Sequence, residues 1–193
     1  RWRTNQESRM ARDRYRPQNI GNQRDSRSRP YREVLPQVVP GAGITAGSGT
    51  FYETSVVREG DLIITRILMD LTGLSASAAG DIIGTAGVCH IGQITAAVNG
   101  TIMGGTLRCF EAPAGGDADI DLYAATVGTG AYDAAITSLV ETQAINSGTL
   151  ALTTDASVIA DSIAADSYLY LVSVGATAAA YTAGRILITL YGR

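Results

Sequence analysis

The sequence predicts an all-β body, a sandwich or a barrel, preceded by an extended cationic arm. Two observations carry the fold class: apolar runs of strand length recur from about residue 50 onward, and Gly-containing turns separate them. A third observation sets the organisation. Residues 1–33 hold ten of the fifteen basic residues, all Arg, against four acidic ones, a net of +6, whereas the rest of the chain carries −9. A length of 193 residues suits one compact domain with an appendage.

The arm is placed over residues 1–40. Between Arg1 and Arg32 its sizeable apolar residues are Trp2, Met10, Tyr15, Ile20 and Tyr31, without periodic spacing. So little apolar surface cannot offset the entropy of ordering, which predicts an extended segment that orders on binding. Pro17, Pro30, Pro36 and Pro40 favour the same backbone. The candidate contact residues are Trp2, Arg3, Arg9, Arg12, Arg14, Tyr15, Arg16, Arg24, Arg27, Arg29, Tyr31 and Arg32. Planar guanidinium groups pair with carboxylates or phosphates, and the rings supply apolar anchors. The absence of Lys fits codon bias equally well, so the placement of the Arg residues carries the argument. Residues 41–49, with Gly41, Gly43 and Gly47, read as a flexible hinge. Their spacing is one residue off a dinucleotide-binding fingerprint and follows Pro40 where a strand should lead in. The body then occupies residues 50–193.

Within the body, Phe51 to Arg58 alternates and is rich in β-formers, and Gly60 breaks it. Asp61 to Leu71 follows and ends at Thr72-Gly73. Further strand-like runs are Val88 to Val98, Thr101 to Glu111, Ile120 to Thr126, Ser167 to Val174 and Arg185 to Tyr191. Asn99-Gly100 reads as a two-residue hairpin turn, because both positions tolerate positive φ. Ala131 to Glu141 and Ala156 to Ala165 have helical apolar spacing and predict two short helices.

Strand faces point to a partner. Ile63, Thr65, Ile67, Met69 and Leu71 make a core stripe, yet the opposite stripe of Leu62, Ile64, Arg66 and Leu68, which runs on to Asp70, is too apolar for free water. Ile186, Ile188 and Leu190 repeat this pattern against Leu187 and Tyr191. A second cover is either the chain's own loops or another copy. We take Leu62, Ile64, Arg66 and Leu68 as the candidate oligomer interface.

Several classes are disfavoured. The opening residues lack the apolar stretch of a secretory signal, and the uncharged stretch from Ile82 to Leu107 is too interrupted by Gly, Thr, Gln and Asn to span a membrane. Cys89 and Cys109 make no disulfide framework and read as buried small hydrophobes of a protein made in a reducing cytosol. His90, the single histidine, points away from Cys89 along a strand and reads as a packed residue. Ser48 lacks the context of a nucleophile elbow. No acid, base and nucleophile constellation is visible, so the chain is expected not to be an enzyme and to need no cofactor. Asp117, Asp119 and Asp121 resemble the start of a calcium loop, but Leu122 and Gly128 stand where that loop needs Gly and Glu. They are the one weak metal candidate. Asn99-Gly100-Thr101 matches a glycosylation acceptor, against which the hairpin reading wins without a secretory route.

The stretches GSGTFYETSVVREGDLIITRILMDLTGL, GDIIGTAGVCHIGQITAAVNGTI, CFEAPAGGDADIDLYAA and YLYLVSVGATAAAYTAGRILITLYG, together most of residues 47 to 192, resemble capsid decoration (cement) proteins of marine tailed bacteriophages. The resemblance implies a β-sandwich or jelly-roll body, a trimer, and a place on the outer face of a virion's capsid. The arm lies outside it. The expectation is a virion structural protein whose arm contacts the major capsid protein across subunit seams. The alternatives are nucleic-acid binding by the arm, disfavoured by the acidic body, and a fibre or glycan-binding receptor protein of the virion surface.

Overall fold

The computed structural model describes residues 32–47 and 49–193. The arm contacts from Trp2 to Tyr31, and Ser48, lie outside the described residues.

The body is all-β, with strands β1 (Arg32–Leu35), β2 (Tyr52–Glu59), β3 (Leu62–Asp70), β4 (Ser75–Ala76), β5 (Gly92–Ile94), β6 (Ile102–Ala114), β7 (Ile120–Ala125), β8 (Glu141–Ile145), β9 (Asp155–Ser157), β10 (Ser167–Ser173), β11 (Ala179–Ala180) and β12 (Ala183–Gly192). A six-stranded sheet runs β1-β2-β3-β12-β6-β9, and a four-stranded sheet runs β5-β10-β7-β8, with all pairings antiparallel. β4 and β11 form a small separate ladder. One apolar core draws on both large sheets: Val56, Ile67, Met69, Leu107, Ile186 and Ile188 from the first, and Leu122, Leu169 and Leu171 from the second. The molecule is therefore sandwich-like, with six and four strands where a jelly roll has two sheets of four.

The strongest sequence signals become the long central strands. β2, β3, β7, β10 and β12 fall within two residues of their predicted limits, because each is a run rich in β-branched, aromatic or aliphatic residues. Elsewhere the structure departs from the sequence reading. The Asn99-Gly100 pair does not close a hairpin. Residues Ala96–Asn99 form a single helical turn, α2, whose N-cap Thr95 accepts from the Val98 N–H, and Gly100 ends it at φ 68°. β5 and β6 on either side then enter different sheets. The Asn-Gly signal is real, but left-handed backbone serves a helix end as readily as a hairpin. A Cβ on Gly100 would also strike the backbone of Arg193.

The two predicted helices do not form. Within 131–141, Asp133 (φ 65°) and Val140 (φ 54°) are left-handed, leaving only a 3₁₀ turn at Ile136–Leu139. Residues 155–157 instead pair with β6 as β9, and Val158 extends the pairing by donating to Gly105 O at 2.9 Å. Left-handed Asp161 and a Ser162 hydroxyl bonded to Ile159 O then turn the chain. Short Asx- and Ser-rich segments supply turn hydrogen bonds that compete with a helix.

The hinge reading of 41–49 is corrected as well. Ala42–Thr45 form a helical turn, α1, with Ile44 fully buried. Gly41 and Gly43 donate to His90 O and Val88 O at 2.8 and 2.7 Å, and a Cβ on either would collide with Val88 or Cys89. These glycines serve close backbone approach rather than flexibility. The body likewise begins before residue 41, since β1 pairs along β2 and Val38 is buried.

Candidate functional site

Among the described residues, a patterned surface is the outer face of the six-stranded sheet, opposite the core stripe Ile63, Thr65, Ile67 and Met69. The register orders it into transverse rows. Val34, Val57, Ile64, Tyr191 and Gly104 stand side by side, an apolar row across five strands. The next row is Ser55, Arg66, Thr189, Thr106 and Ser157, four hydroxyls around one guanidinium. The next is Glu53, Leu68, Leu187, Arg108 and Asp155. At the two ends lie Arg32 beside Glu59 and Leu62, and Asp70 beside Arg185.

This places the four predicted interface residues on one strand face. Ile64 is 8% exposed between its neighbours, whereas Leu62, Arg66 and Leu68 are half-buried. Val34 is 76% exposed, Phe110 46% and Tyr191 37%, so the face still presents apolar surface to water. Charges on it are mostly paired. Arg32 meets Glu59 at 3.7 Å, Arg108 Nε meets Asp155 at 3.6 Å, and Arg185 donates to Asp70 at 2.9 Å. Burial works against the Asp70 carboxylate, but the Thr72 hydroxyl and N–H and Arg185 outweigh it, holding the group below its ordinary value. Arg66 and Glu53 have no ion-pair partner among the described residues. Arg32, predicted as an arm contact, belongs to this sheet.

The other predicted positions come out differently. The three aspartates do not form a cation cage. Asp121 is 3% exposed and its carboxylate accepts from Ser147 N and the Gln143 amide. Asp117 Oδ1 accepts from Asp119 N at 2.9 Å. Burial, with the charges of Asp121 and Asp117, pushes the Asp119 carboxyl above its ordinary value. Among the described residues no group of three or more His, Cys, Asp or Glu is placed to hold a metal ion. Asn99 is also closed to glycan transfer: it is 1% exposed, accepting from Thr95 N and donating to Thr65 Oγ1.

Cys89 and Cys109 are buried free thiols, both raised by burial. Cys89 Sγ donates to the Thr85 and Gly87 carbonyls, which leaves it a packed protonated thiol rather than a nucleophile. His90 packs against Tyr168 and Tyr170, with ring centroids 5.0 and 6.4 Å away. Its Nδ1 is buried without a partner, and burial holds the imidazole below its ordinary pKa.

Two features escaped the sequence reading. His90 and Tyr168 line an open groove of about 420 Å³ with Gln37, Pro40, Gln93 and Asn99, and no charged side chain lines it. Asp81 lies beside Asp133, and burial, then the Asp133 carboxyl, raise its pKa. Both features join segments tens of residues apart, so no local motif announces them. No family model, no curated protein and no solved structure matches the chain.

Proposed function

We propose that the protein is a virion structural protein, a capsid decoration protein whose Arg-rich N-terminal segment binds the outer shell. The observation that carries this reading is the segregation of charge: ten Arg in the first 33 residues, at net +6, precede a body of net −9. The cationic segment pairs its guanidinium groups with acidic residues along subunit seams, and Trp2, Tyr15 and Tyr31 add apolar anchors. Display on an oligomer multiplies the attachment through effective concentration. Within the body the Cys89 thiol and the Asp121 carboxylate are held in hydrogen bonds, and His90 packs against Tyr168.

The test is removal of residues 1–30, which leaves β1 intact. The truncated protein is expected to fold, with an unchanged circular dichroism spectrum and melting transition, and to lose co-sedimentation with purified capsids. Undiminished capsid binding would sink the proposal. Truncation that instead abolishes salt-sensitive DNA binding, with capsids ignored, would favour the nucleic-acid reading.

A further inference from the structure

We infer that the outer face of the six-stranded sheet pairs with the same face of a second copy, about a two-fold axis that runs along the strands between β3 and β12. This goes beyond the capsid reading, stands without it, and puts a two-fold pair in place of the trimer that the resemblance implies.

The row register selects this axis. A two-fold axis parallel to the strands keeps every row opposite itself and exchanges strands across the axis, so β3 meets β12 and β2 meets β6 of the second copy. In the apolar row, the exposed Tyr191 then faces Ile64, and Gly104 faces Val57, with Ile64 and Val57 only 8% and 4% exposed within one chain. In the hydroxyl row, Arg66 faces Thr189. In the third row, Leu68 faces Leu187, while Glu53, which lacks an ion-pair partner among the described residues, faces Arg108. Asp155 engages Arg108 through Nε, which leaves the terminal nitrogens for that carboxylate. Each contact occurs twice by symmetry, and no like charges oppose one another in these rows.

Neighbouring axes fail. Moving the axis onto β3 sets Arg66 against Arg66, and moving it onto β12 sets Arg108 against Leu68. An axis across the strands lays the apolar row over the Glu53 and Arg108 row. Size also suits a pair. With strands about 4.8 Å apart and about 3.3 Å per residue, the face covers roughly 600 Å² per copy. Doubled, this reaches the lower end of the roughly 1,200–2,000 Å² of specific interfaces. Sheets packed face to face rotate by about 30°, an offset that the long Glu53 and Arg108 side chains span.

Sedimentation equilibrium of the full-length chain tests the pairing. The expected species has twice the 20.1 kDa chain mass at micromolar concentration. Glu53→Arg alone, and Arg108→Glu alone, should each weaken dimerisation by about tenfold or more, because like charges then face each other. The double variant Glu53→Arg/Arg108→Glu should restore it to within about threefold of the parent. Melting curves at dilutions where each variant is monomeric separate pairing from folding, since Arg108→Glu also meets Asp155 within its own chain. A monomer at all concentrations, a trimer, or a double variant no tighter than the singles would overturn the inference. Capsid co-sedimentation is a separate readout, so failure here leaves the attachment proposal to its own test.

Discussion

Strands β3 and β10 are both apolar on two faces, and the molecule completes them differently. On β10, Leu169 and Leu171 are buried on one face, and Tyr170 and Val172 are buried on the other. That second face is closed by the chain's own loop: the Tyr170 hydroxyl donates to Val127 O and accepts from Gly130 N, while Gly128 and Gly130 lie against the Tyr168 and Tyr170 rings. On β3 the core face is sealed, but Leu62 and Leu68 remain half-buried beside exposed Tyr191. Two-sided apolarity thus raises the question of a cover, which β10 finds within its own chain. Whether the cover is a loop or another molecule depends on where long connections fall, and the connections flanking β3 are short on one side.

A pair of truncations one residue apart separates the two faces of β3 most strongly. Ile67→Ala removes a fully buried side chain between the sheets and should cost about 2–5 kcal/mol. Leu68→Ala, on the outer face, should cost about 1 kcal/mol or less in dilute, monomeric protein. Urea unfolding decides, and equal costs would mean that the outer face is already covered within one chain. A smaller loss is expected from Tyr170→Phe, about 1–3 kcal/mol, because Val127 O and Gly130 N lose their shared partner. Hydrogen exchange at the Gly130 amide should accelerate more than exchange within β3; uniform acceleration would show that the loop is not a separate cover.

The smallest effect is a pH slope. Burial lowers the His90 pKa, so the folded state favours neutral imidazole. The associated stability is fully present above the unfolded value of about 6.5 and is lost as pH falls from there through the folded value. His90→Gln should flatten that part of the melting-temperature profile, and an unchanged slope would assign it to other groups.

The legible part of the fold was the part ruled by local periodicity. β3 and β12 announced themselves as runs of nine and ten residues rich in Ile, Leu and Thr, too long and too apolar for a turn. β1 was missed because four residues, Arg-Glu-Val-Leu, resemble arm sequence until β2 supplies their partner. The glycines of 41–49 looked flexible because sequence does not reveal Val88 and Cys89 packed against them. The aspartate spacing suggested a cation, yet Ser147 and Gln143, more than twenty residues away, take the Asp121 carboxylate. The apolar outer stripe of β3 was readable from one strand, whereas its row pattern required the register of five.

The central position of β12 has a consequence for synthesis. β3 joins β6 only through β12, so Ile64 waits for Tyr191 before the sheet can close. While the ribosome is still making residues 183–192, the hairpin of β2 and β3 carries an open edge next to its most apolar strand. Closure of this sheet is thereby postponed until residues 183–192 have been made, and the nascent body is expected to be most prone to aggregation just before then.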